Sequence, residues 1–149
     1  MADAATIVMS ATILPDEIAK TLTSLSAGFT PADANDKWYF KVTTTSTAQG
    51  VDLISGAFLS EEAVGAAHDT VATGDKVKFL FIKNTDGSND VYLTLDGNTS
   101  NATSDGDAIK IPAGKSWFGN LPNTTVANLH VISSSGTPVC VVAAIIDDV

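Results

Sequence analysis

The run from Val139 to Ile146 is apolar at every one of its positions, and it constrains this chain more than any other stretch. It is far too short to span a bilayer as a helix, which takes about 20 apolar residues. A short continuous apolar run bounded by turn residues reads as a strand covered on both faces. The turn before it, Ser134-Ser135-Gly136-Thr137, supplies that boundary. Such a strand belongs at the centre of a layered β-fold, inside the chain or against another subunit.

The rest of the chain is written in the same vocabulary. Ser and Thr together make 31 of the 149 residues, beside 11 Gly and plentiful Val and Ile. Strand patterns fall at Thr6–Leu14, Lys37–Thr45, Val51–Phe58, Lys76–Lys83, Val91–Asp96, Ala108–Ile111, Lys115–Phe118, Thr125–Ser133 and Pro138–Ile146. In Lys37–Thr45, Trp38, Phe40 and Val42 alternate with Lys37, Tyr39 and Lys41, as in a half-buried strand. It reads as a hairpin with Val51–Phe58. In Lys76–Lys83, Val77, Phe79 and Phe81 share one phase while Leu80 and Ile82 take the other. The dense turn Asn84–Asp90 then predicts a second hairpin with Val91–Asp96. One helix has a rationale: Pro15-Asp16-Glu17 opens a segment in which Ile18, Leu22 and Leu25 are spaced by four and three, and Gly28 closes it. These patterns predict an all-β, two-sheet sandwich, jelly-roll-like, of about eight strands with at most one short helix. One domain over 1–149 is expected, with 1–14 as a candidate N-terminal arm.

Charge excludes several partners. Seventeen acidic residues face eight basic ones for a net charge of −9, and every basic residue is Lys. Nucleic-acid binding rests on phosphate neutralisation and on bidentate Arg contacts, so neither nucleic acid nor an anionic membrane is an expected partner. Cys140 is the only cysteine, so no intramolecular disulfide forms. Its place within the apolar closing run makes it a small core hydrophobe. The opening residues carry Asp3 where a secretory signal is basic, and synthesis in a cytoplasm is expected.

No constellation points to catalysis. Gly114-Lys115-Ser116 copies the end of a phosphate-binding loop, but the first glycine of that motif would fall at Ile109. The segment reads as a turn with a lysine at its tip. His68 and His130 are not spaced as a zinc pair, and His130 is expected at a surface or interface. A Gly-x-Ser-x-Gly elbow is missing from the sequence. Asp86, Asp90, Asp96, Asp105 and Asp107 cluster along two loops, as turn formers or as oxygen donors for a loose calcium site. No cofactor and no resident metal are expected, and no enzymatic activity. Trp117 and Phe118 follow a turn and are either a sheet-corner pair or a subunit anchor. With Val139, Val141 and Ile145 of the closing run they form the set of candidate subunit contacts.

The order of these segments is also familiar as a style. An apolar strand ending Ile82–Gly87, a partner strand Val91–Gly97, a polar loop, Ile109–Trp117 and a Val-rich closing strand follow one another. This arrangement resembles small virion structural proteins of tailed bacteriophages, especially marine and cyanobacterial ones. Leu14–Leu22 and Phe29–Val42 resemble the opening of such proteins. The resemblance implies a capsid decoration (cement) protein on the virion surface, made in the host cytoplasm and homo-oligomeric. Its implied partners are the major capsid protein or other virion subunits, and it carries over no site residue. A different class, a tail, neck or fibre component binding host glycans, would use the polar loops Ser46–Gly50 and Gly97–Asp107.

Overall fold

The computed structural model describes residues 5–13, 20–29, 36–45, 47, 50–54, 56–57, 59–60, 70–97 and 106–147. The chain divides into two compact units, Met1–Ala34 and Asn35–Val149. In the first unit β1 (Ala5–Ile13) pairs antiparallel with β2 (Lys20–Phe29). The helix expected from Pro15 onwards is therefore replaced by a strand from Lys20. The reason lies in the register: Leu25 pairs with Met9 and Leu22 with Ala11, so β2 holds one extra residue there. A β-bulge lets residues three apart occupy positions that are two apart on the partner, and it imitates helical spacing. Thr21, Thr23, Ser24 and Ser26 compete with helical backbone bonds and favour the strand.

The second unit is a ribbon folded on itself. Eight strands carry it: β3 (Asp36–Thr44), β4 (Val51–Asp52), β8 (Lys76–Asn84), β9 (Val91–Thr94), β10 (Ile109–Ile111), β11 (Ser116–Thr125), β12 (His130–Ser133) and β13 (Val139–Asp147). The first of them pairs with the last, the second with the seventh, the third with the sixth and the fourth with the fifth, all antiparallel. Rolling the ribbon brings β13 beside β8 and β12 beside β9. The result is the jelly-roll connectivity. One sheet runs β11-β8-β13-β3 and is extended by β6 (Leu59–Ser60); the other runs β10-β9-β12-β4. The short strands β5 (Gly56–Ala57) and β7 (Thr70–Val71) pair with each other. The described residues hold no α-helix, only a 3-10 turn at Val126–Asn128.

Both sheets feed one core. Leu80 and Ile82 of β8 and Val142, Ala144 and Ile146 of β13 meet Val91, Leu93, Ile111, Leu129 and Val131 from the opposite layer. Cys140 belongs to this cluster, and burial pushes its thiol up to about 11. At neutral pH it stays a protonated, inert thiol.

Three sequence expectations are corrected here. Lys76–Lys83 and Val91–Asp96 do not form a hairpin, because β8 and β9 lie in different sheets. Six residues connect them, and that loop crosses between the layers where a two-residue turn would hold one sheet. Val51–Phe58 is not one strand paired with β3 either. It breaks at Leu53 and Ile54, both 0% exposed, which leave the ladder for the core while the Leu53 N–H donates to the Leu129 carbonyl at 3.0 Å. Val77 joins the core phase of Leu80 and Ile82 and not that of Phe79 and Phe81. Ile145 pairs with Phe79 but Ile146 with Val77, so Lys78 is an extra residue that reverses the alternation. Lys78 in turn meets Asp147 at 2.9 Å.

Candidate interaction surface

In an antiparallel sheet directly opposed residues share a face, and neighbours along a strand alternate. Since Leu80, Ile82, Val142 and Ala144 belong to the core, Phe79, Phe81, Val141, Ala143 and Ile145 lie on the outer face of the five-stranded sheet. The pairing lines them into rows. One row holds Phe118, Phe81 and Ala143, and its backbone register continues through positions 40 and 59 across all five strands. The next runs Asn120, Phe79 and Ile145, where Phe79 at 4% and Ile145 at 0% exposure are already buried within the chain. A third runs Ser116, Lys83 and Val141, and there an exposed lysine begins the polar rim. Phe79 and Phe118 make a tilted ring contact, with centroids 6.5 Å apart and planes at 34°. Phe81, Phe118, Val141 and Ala143 remain half-buried. An outer sheet face with this composition is what a protein contact requires and what a solvated sheet avoids.

The candidate contact residues divide over this frame. Phe118 and Val141 lie on the outer face, and Val139, 38% exposed, stands at the start of β13 in the same phase. Ile145 shares that phase but is fully buried. Trp117 points the other way, packs against the core cluster and lies over Gly119, where a Cβ would come within 3.0 Å of the indole. The structure thus brings Phe118, Val141 and Ile145 onto one face and leaves Trp117 on the other. Phe81 and Ala143, both half-buried on this face, were missing from the set, while Phe79 is buried like Ile145. Their signal was the pairing of an apolar closing strand with an apolar β8, which a single sequence does not reveal.

The loops at one end of the sandwich are tied together by polar contacts. Asn84 is fully buried, yet its amide donates to the Asn89 carbonyl at 2.8 Å and to the Ile111 carbonyl at 3.3 Å. Its side-chain oxygen accepts from the Asp86 N–H at 3.1 Å. Asp86 accepts from the Ser88 and Asn89 N–H groups, each at 2.7 Å. The Asn89 and Ser88 bonds hold its carboxyl below the ordinary range. Asp90 meets Lys110 at 2.7 Å and accepts from the Ala113 N–H at 3.2 Å. The lysine hydrogen bond lowers the Asp90 pKa, with the Ala113 bond second, and the same pairing raises that of Lys110. Ser134 exchanges two bonds with the Asp90 backbone, at 3.1 and 2.9 Å. Thr85 donates twice to the Val139 carbonyl, at 3.0 and 2.7 Å, and Thr45 twice to Pro138, at 2.8 and 3.0 Å.

These carboxylates are occupied as structural acceptors. Asp86 and Asp90 precede β9 and Asp96 follows it, about 13 Å further along a four-residue strand. Asp86 and Asp90 therefore lie at the other end of β9 from Asp96, and Asp105 lies outside the described residues. Among the described residues no three His, Cys, Asp or Glu side chains group as a metal site would need. The Gly-Lys-Ser stretch is a turn: the Lys115 N–H donates to the Pro112 carbonyl at 3.0 Å and Gly114 takes φ +68°. His130, expected at a surface or interface, is only 7% exposed and pairs in register with Thr94 on one side and Asp52 on the other. His68, the Ser60–Thr70 loop beyond its ends and residues 98–105 lie outside the described residues.

The Asp90 pair sets an expected acid response. A carboxyl whose pKa is lower folded than unfolded stabilises the fold above its unfolded value and loses that contribution as pH falls through the folded one. Stability should decline below about pH 4 for Asp86 and Asp90. Asp90→Asn should flatten this acid limb in thermal unfolding between about pH 3 and pH 7. An unchanged pH profile in that variant counts against the assignment.

No helix of the described residues is long and apolar enough to cross a membrane. No protein family, no curated protein and no solved structure matches this chain.

Proposed function

We propose that this chain is a non-enzymatic structural subunit of a bacteriophage particle, a capsid decoration protein that stabilises the shell by bridging its subunits. The observation that carries the reading is the outer face of the five-stranded sheet. There Phe81, Phe118, Val141 and Ala143 stay half-buried in a chain of net charge −9. A charged surface keeps such a protein soluble, while the apolar centre of one face supplies buried area to a neighbour. The resemblance of the order of sequence segments to small virion proteins supports the same role, as does a sandwich fold, which is common in capsid domains. The partners in this reading are the major capsid protein or other virion subunits, and further copies of the chain itself.

Quantitative mass spectrometry of purified virions tests the proposal through copy number. A count comparable to that of the major shell subunit is expected, together with particles that lose heat resistance when the protein is removed. A handful of copies would instead place the chain in a tail or neck and favour glycan recognition. Particles that lack the protein and are equally heat-resistant would sink the decoration role.

A further inference from the structure

A two-stranded hairpin is at best marginally stable alone in water, and three or more strands or a packed face are needed. Among the described residues neither β1 nor β2 has a second strand neighbour. Proteins blunt such edges with charges, prolines, bulges or short strands. The edges of the second unit follow that rule: β11 carries Pro122 with a register shift between Asn120 and Thr124, and β10 is three residues long and followed by Pro112. On the hairpin β2 is blunted too. It begins at Lys20, contains Gly28 and holds the extra residue between Leu22 and Leu25. Among the described residues the hairpin strand that carries none of these devices is β1, Ala5–Ile13, with nine residues and no charge, glycine or proline.

We propose that β1 pairs antiparallel, across a twofold axis, with β1 of a second copy, giving the four-stranded intermolecular sheet β2-β1-β1-β2. The sequence of β1 is complementary to its own reverse about Met9. With Met9 on the axis, Thr6 opposes Thr12, Ile7 opposes Ala11, Ala5 opposes Ile13 and Val8 opposes Ser10. Large residues meet small ones and threonine meets threonine, a favourable cross-strand pair. An isologous contact of this kind closes after two copies. Copies that each carry a net charge of −9 repel, and the uncharged strand is where two of them can approach. The inference stands apart from the proposed function, since it concerns the free protein and holds whether or not the chain belongs to a virion.

The test is a charge swap on the full chain. Wild-type protein should sediment at twice the 15.3 kDa of one chain. Met9→Lys and Met9→Glu each place like charges opposite one another at the axis, and each should weaken self-association about tenfold. Mixing the two variants should restore the dimer, with one of each by native mass spectrometry. A monomeric wild type, variants that dimerise as wild type does, or a mixture without the heterodimer would overturn the proposal. Hydrogen exchange on the wild type provides a check that needs no variant. Successive β1 amides point to alternate edges, so the dimer should protect all of them, and dilution to monomer should release every second one. Protection of alternate amides only, in concentrated protein, would also overturn it.

Discussion

Ile82→Ala should lower the unfolding free energy of the isolated chain by about 3–4 kcal/mol, while Phe81→Ala should cost about 1 kcal/mol. The two residues are neighbours on β8, but they face opposite ways. Ile82 is fully buried in the core shared by both sheets, and Phe81 is half-buried on the outer face. Truncating Ile82 removes three carbons from a packed site and leaves a void that its neighbours fill only in part. In thermal unfolding the larger loss corresponds to a midpoint lower by roughly 6–16 °C. The order of the two variants should reverse in any assay of assembly on a partner, because Phe81 stands in the row that crosses all five strands. Equal stability losses would show that Phe81 is covered within the chain as Phe79 and Ile145 are, and would remove this face as a contact surface.

Asn84→Ala should destabilise by about 2–3 kcal/mol although it deletes only a polar side chain. Its amide satisfies carbonyls of Asn89 and Ile111, and its oxygen caps the Asp86 N–H. The cost therefore lies in the groups left behind, not in lost apolar area. The Ile111 bond also joins the end of β8 to a strand of the other sheet, so the layers lose a link at that end. Asn84→Asp keeps the acceptor, loses both donated bonds and buries a carboxylate. It should be at least as destabilising at neutral pH, and the deficit should shrink in acid as the carboxyl takes up a proton. Denaturant unfolding of both variants, at neutral and acidic pH, checks this. A near-neutral Asn84→Ala would mean that water replaces the amide at no cost.

The closing run and β8 were readable as strands because uninterrupted or doubly phased apolar residues leave no solvated face. All-β layering followed from the spacing of turns, and it is the architecture found. The phase of Val77 was hidden because a bulge at Lys78 exchanges the two faces without changing the residues. Leu22 and Leu25 misled for the same reason, since one inserted residue makes a strand look helical. The six-residue loop after β8 gave no hint that it crosses layers, as turn-forming residues specify a reversal of the chain and not its destination. Asn84 could have been found: it continues the period-two core phase of Leu80 and Ile82, where a polar residue must be held by specific partners. The outer-face rows were beyond reach, because they depend on which strands pair.

The order of pairing also governs how the protein is made. The last of the eight strands, β13, sits at the middle of its sheet between β8 and β3, and it is a partner of the first. Neither sheet neighbour can be completed until residue 147 has left the ribosome, about a hundred residues after β3 emerged. During translation β8 therefore waits with both of its apolar faces exposed, and a chain released early lacks the strand that joins the sheet. Until β13 emerges, quality control in the producing cell meets an unfinished sheet, and termination before it yields a sheet without its central strand, not a smaller domain.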